Sequence, residues 1–238
     1  MTRSKMPRAA RPLYRLTRRL GANRSGLAMV EFAFAAPLVL GMGMLGTETA
    51  SLVIAHLQVS QIAMQVADNA SRVGTANELS IQQINDGDIN ETFVGAEKVG
   101  AGIGIFTHGR VILSSLQRNS SGGQWIAWQR CRGAKVYNSS YGVEGNGATG
   151  TSFPGMGATG RVITASAGTA VMFVEVAYNF QSITPMNLFN NQQIVYTAAF
   201  NVRDNRSLTG GPSNNGIFAT TPASPVARCN VYSANRPA

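Results

Sequence analysis

Hydrophobic and polar positions change their spacing repeatedly along this chain. From Leu27 to Leu45 every position is apolar or small except Glu31. As a helix this run would be roughly 28 Å long, close to the thickness of a bilayer core. The pattern then turns amphipathic. Leu52, Ala55, Val59, Ile62, Val66, Ala70 and Val73 recur at three-and-four spacing, and Gln58, Gln61, Gln65, Asp68 and Arg72 supply the polar face. Gly74 is a stop signal. The spacing therefore predicts one helix from about Leu27 to Val73. Its first half suits lipid or a filament core, and its second half offers a stripe to a soluble domain. Pro37 withdraws a hydrogen bond from the Ala33 carbonyl, which predicts a kink. Gly41, Gly43 and Gly46 would permit close helix approach.

From Thr75 to Gly104 the signals are mixed. They predict a short helix over Ser80–Ile84, a turn at Asp86-Gly87-Asp88, and a helical or irregular piece over Glu91–Val99. Strand patterns come next. Arg110–Arg118 and Gln124–Arg130 flank the turn residues Asn119–Gly123 and read as a hairpin. Thr169–Phe180 and Gln193–Val202 are two further strands, joined by a loop with Pro185. Between the pairs, 133–168 is rich in Gly, Ser, Thr and Asn, and reads as a surface loop with little fixed structure. The tail over 205–238 is turn-rich, with Pro212, Pro222, Pro225 and Pro237. The predicted class is α+β: a long N-terminal helix packed on an antiparallel sheet of about four strands. Its segments are a basic leader (1–26), the helix (27–74) and an α+β domain (75–238).

A net charge of +9 suggests nucleic acid until its distribution is read. Eight cations precede Gly26: Arg3, Lys5, Arg8, Arg11, Arg15, Arg18, Arg19 and Arg24. From Leu27 onward twelve Lys and Arg face eleven Asp and Glu. The basicity belongs to the leader, so no nucleic-acid partner is expected of the domain. A basic cluster ahead of an apolar helix stays in the cytoplasm and sends the downstream chain outward, here to the periplasm. A secretory signal peptide has a similar start, but polar mature chain should come after its cleavage site. Here helical sequence continues instead.

Cys131 and Cys229 fall in the part expected outside the cytoplasm, where a disulfide persists. They are expected to be joined, two free thiols being the alternative. Neither has metal or redox spacing. The two histidines, His56 and His108, stand in no ligand pattern, so no metal and no cofactor is expected. Gly100-Ala101-Gly102-Ile103-Gly104 lacks the lysine of a phosphate loop and reads as a linker. Glu175, inside an apolar strand, should face solvent or meet an arginine across the sheet. No nucleophile pattern appears, and the chain is not expected to be an enzyme.

The remaining signal is Glu31. A carboxylate near the start of a membrane-length helix is costly, and so marks function by default. Gly26-Leu27-Ala28-Met29-Val30-Glu31-Phe32-Ala33-Phe34, followed by Pro37, resembles the start of TadE-like pseudopilins, minor components of the tight-adherence (Flp-type) pilus system. Val111–Gln117, Trp128–Cys131 and Val174–Tyr178 also resemble family members, whereas the Gly-rich segment does not. The resemblance implies cleavage by a prepilin peptidase between Gly26 and Leu27, with Glu31 as the recognition and assembly carboxylate. It further implies other pilin and pseudopilin subunits, and the inner-membrane assembly machinery, as partners. The major Flp pilins are much shorter and usually carry Tyr where Phe32 stands, which points to a minor subunit. The competing reading is an uncleaved, membrane-anchored periplasmic protein with a binding or hydrolytic role.

Overall fold

The computed structural model describes residues 21, 25–74 and 81–237, so most of the basic leader lies outside the described residues. The chain divides into two compact units, Met1–Thr49 and Ala50–Ala238. Helix α1 runs without interruption from Ser25 to Arg72, through Pro37, and contributes to both.

In the first unit the helix is long and apolar enough to cross a membrane, and the side chains of its most apolar stretch are not buried. Leu27, Met29, Phe32, Phe34, Leu38 and Met42 are all exposed. Near its end the Thr47 and Thr49 hydroxyls donate to the Met44 and Leu45 carbonyls, which keeps both polar groups satisfied within an apolar helix.

In the second unit α1 turns its predicted stripe inward. Ala55, Val59, Ile62, Val66 and Ala70 are buried, joined by Ala63 and Ala67, with Leu52 and Val73 at the margins. Alanine holds four of these seven core positions. The helix ends where Gly74 adopts φ +147, and Arg206 occupies its C-terminus. Arg206 is buried and donates to the carbonyls of Ala70 (3.0 Å) and Val73, two acceptors without an intrahelical partner. Desolvation pushes its pKa down to about 10, against the opposing pull of Asp204 and Asp88.

The segment after the helix departs from expectation. Instead of a short helix, Gln82 bridges to Arg206, and strand β1 (Ile84–Asn85) pairs in parallel with β6 (Ile217–Phe218). Ser80, the start of the expected helix, lies outside the described residues. Asp86-Gly87-Asp88 is the first turn of helix α2 (Asp86–Val99), not a separate turn. A reciprocal cap causes this: Asp88 N–H donates to Asn85 Oδ1 (3.1 Å), and Asn85 N–H donates to Asp88 Oδ2 (3.0 Å). The same small polar residues that signal a turn also open a helix when their carboxylate reaches back three positions. A 3₁₀ turn (Ala101–Ile103) and the short α3 (Ile105–His108) then carry the Gly-rich linker into the sheet.

The sheet is antiparallel in the order β3-β2-β4-β5, formed by β2 (Gly109–Arg118), β3 (Gln124–Arg132), β4 (Val171–Asn179) and β5 (Gln193–Asn201). A bulge interrupts the β2–β3 register between Ser115 and Leu116. The architecture is the predicted α+β arrangement, but β2, β3 and β4 are buried on both sides. One face carries Val111, Leu113, Trp128, Val174, Val176 and Ile194 into the core with α1 and α2. The other carries Leu116, Ile126, Val171 and Phe173, and is covered by Met156, Ala165, Phe153 and Tyr141 from the Gly-rich segment. That segment is therefore a third layer with fixed packing. Glycine serves close approach here: Gly147 has φ +74, and a Cβ on it would collide with the Gln124 carbonyl on β3.

Candidate functional site

The residues singled out by the sequence fall at two places. Gly26, Leu27, Glu31 and Pro37 lie on α1 in the first unit, whereas Cys131 and Cys229 lie in the second. Leu27 and Glu31, four residues apart, share one helix face. Both are exposed, and Glu31 has no ion pair among the described residues. A Cβ built on Gly26 would meet nothing within 4 Å, and the same holds at Gly41, Gly43 and Gly46. The folded chain itself therefore has no steric need for glycine at any of the four.

The amphipathic half of α1 carries a second apolar surface. Val53, Ile54, Leu57 and Met64 are about half exposed and lie on the side away from the core. The predicted polar face is thus only partly polar. His56 is half-buried at its border, its Nδ1 3.3 Å from the Tyr196 hydroxyl.

Cys131 on β3 and Cys229 in the tail form a disulfide, with Cα atoms 4.7 Å apart. Sequence reasoning overlooked the group beneath it. Arg110, from β2, is 1% exposed and donates to the carbonyls of Gly133 (2.9 Å), Val231 (3.1 Å) and Cys229 (2.6 Å). Its guanidinium also stacks over the Tyr232 ring at 4.2 Å. Bridge and cation together hold the tail against the sheet. The only advance sign was an arginine directly ahead of the apolar run Val111–Leu113.

Glu175 neither faces solvent nor meets an arginine. It is fully buried on β4 beneath the Gly-rich layer, bonded by the Ser139 hydroxyl, the Ser140 N–H (3.0 Å) and the Tyr137 hydroxyl (3.5 Å). Desolvation raises its pKa, and these three donors oppose that rise without cancelling it. A folded chain then keeps a proton here that the unfolded chain has already released. Over that window stability falls as pH rises and recovers on acidification. Glu175→Gln is expected to remove this slope, raising the Tm at pH 8 by more than at pH 4. Equal changes at both pH values in thermal melts would reject the assignment.

A cavity of about 810 Å³ opens between β3 and the tail, lined by Gln129, Arg130, Asn138, Arg228 and Tyr232 among others. Arg130 is already neutralised there by Asp86 (2.5 Å) and Glu144 (3.1 Å). Neither histidine lines the cavity, so its serines have no imidazole base beside them. Among the described residues no three of His, Cys, Asp and Glu gather as metal ligands. No family model, curated protein or solved structure matches this chain.

Proposed function

We propose that this chain is a minor pilin-type subunit of a tight-adherence pilus. It is anchored in the inner membrane by the first half of α1, with its α+β domain in the periplasm until assembly. A prepilin peptidase removes the leader between Gly26 and Leu27. The membrane machinery then passes the subunit to other pilins, and its role is structural, not catalytic.

One observation carries this reading: α1 is apolar where nothing among the described residues covers it. That holds along the membrane-length half, and again at Val53, Ile54, Leu57 and Met64 on the far side of the packed half. An anchor alone needs the first surface only; a helix destined for contact with other helices needs both. Within the apolar run a single carboxylate stands four residues from the residue that cleavage would make the N-terminus. The glycine ahead of it is not required by the fold. An extended backbone free of a side chain suits a peptidase.

The deciding experiment is N-terminal mass spectrometry of the protein from its own host. A mature terminus at Leu27 is expected, and Gly26→Leu should leave a membrane-bound product about 26 residues longer. An intact N-terminus in the wild-type protein would favour the uncleaved periplasmic anchor. The cavity beside β3 would then be the place to look for a bound ligand.

A further inference from the structure

The apolar cluster on the second face of the sheet stops short of the start of β2. Leu116, Ile126, Val171 and Phe173 form it. Arg110 and Ile112, which alternate onto the same face, line the cavity between β3 and the tail instead. Its volume of about 810 Å³ is within the range of small-molecule sites.

The charges along this cavity do not cancel. Three arginines, Arg110, Arg130 and Arg228, line it with two carboxylates, Asp86 and Glu144. Both carboxylates are committed to Arg130. Of the buried arginines on β2 and β3, Arg130 has these two partners and Arg132 has Glu97. Arg110 has no ion pair among the described residues. Its charge is met only by three neutral carbonyls and the Tyr232 ring, and its Nε has no acceptor. A buried charge without a counter-charge is costly, and an anion beside it would offset that cost. Arg228 is exposed and adjoins Cys229, whose carbonyl receives the Arg110 guanidinium. Its own guanidinium makes no bond among the described residues.

The unused amides of the wall are donors too. The Tyr232 hydroxyl donates to Asn138 Oδ1 (2.8 Å), and Ile217 N–H donates to Asn215 Oδ1 (3.2 Å). Each amide is left with its nitrogen unpartnered, and Asn215 is only 5% exposed. A wall that offers donors and a surplus of one positive charge matches a ligand that brings acceptors and one negative charge. A peptide segment would bring as many N–H donors as carbonyls. The rest of the lining is apolar at Ile112, Ile217, Phe218 and Val226.

We propose that this cavity binds a small organic monocarboxylate with an apolar body. Arg228 supplies the direct contact to the carboxylate, Arg110 acts through its charge from beneath, and the body lies over Ile112, Ile217 and Val226. The site does not rest on the pilin reading and is built the same way whether or not the leader is removed.

The test uses the full chain in nanodiscs of neutral phosphatidylcholine, with hexanoate and 3-phenylpropionate as probes in equilibrium dialysis. Saturable binding of at least one of them, at one site per chain, is expected. The matching neutral amides should bind about tenfold more weakly, for want of the charge. Arg228→Gln should weaken carboxylate binding by a similar factor and leave the Cys131–Cys229 bridge formed, since this side chain holds nothing in the fold. Arg161→Gln removes the same charge from an exposed position outside the cavity and should leave binding unchanged. Equal binding of carboxylate and amide would overturn the proposal, as would no saturable binding of either probe. Equal losses in Arg228→Gln and Arg161→Gln would overturn it as well, since that reports bulk charge. None of these results bears on the mature N-terminus, so failure here and failure of the pilin reading are told apart.

Discussion

On the proposed pilin reading, a Glu31→Gln chain is expected to be at least partly cleaved, to remain in the membrane, and to fail in pilus-dependent surface attachment. Within a single subunit, no described residue pairs with the Glu31 charge. Inside a bundle of apolar helices it must find a cation, and the α-amino group freed at Leu27 of a neighbouring subunit is one of the right sign. Removing one partner of such a pair strands the other in an apolar setting at a cost of about 3–5 kcal/mol, a factor of roughly a hundred or more per contact. Glutamine keeps the shape, so no cavity opens and processing at Gly26 is not directly disturbed. A lone membrane anchor behaves differently, being relieved by losing a charge. Attachment assays on the cleaved, normally expressed variant separate the two, and wild-type attachment would remove Glu31 from assembly.

The second large effect concerns the second unit. Cys131 and Cys229 are 98 positions apart, and closing a loop of that length contributes about 4–5 kcal/mol in the chain-entropy model. Replacing both with serine should lower the unfolding free energy by an amount of that order. It should also expose the tail around Val226–Tyr232 to protease well before global unfolding. Denaturant melts in detergent with and without reductant measure the first, and limited proteolysis the second. A loss below about 1 kcal/mol would mean that Arg110 and its carbonyl cradle hold the tail without help.

The sequence was most readable where one period dominates. The stripe from Leu52 to Val73 and all four long strands lie where period, β-prone runs and turn residues put them. It was least readable where short polar residues decide. Asn85 and Asp88 have the composition of a turn, and only the reach of the Asp88 carboxylate back to the Asn85 N–H makes them a helix start. The Gly-rich segment misled for a related reason. Its few anchors, Tyr141, Phe153, Met156 and Ile163, are spaced without period, so nothing local betrays that they cover a second face of the sheet. The burial of Glu175 is a consequence: a strand position expected to meet solvent is enclosed once a third layer lies over it. The reading of Gly26, Leu27 and Glu31 rests on resemblance and charge pattern alone, since the fold asks nothing specific of Gly26 and leaves Leu27 and Glu31 exposed.

The cradle around Arg110 has a bearing on biogenesis. The three carbonyls that receive its guanidinium belong to residues 133, 229 and 231, and the bridge closes on residue 229. In chain order the helix and all four strands of the sheet precede the last two of these acceptors, so Arg110 gains its full cradle only when the tail is in place. A prematurely terminated product lacking residue 229 would thus carry a free thiol at Cys131 and an Arg110 short of two of its three carbonyl acceptors.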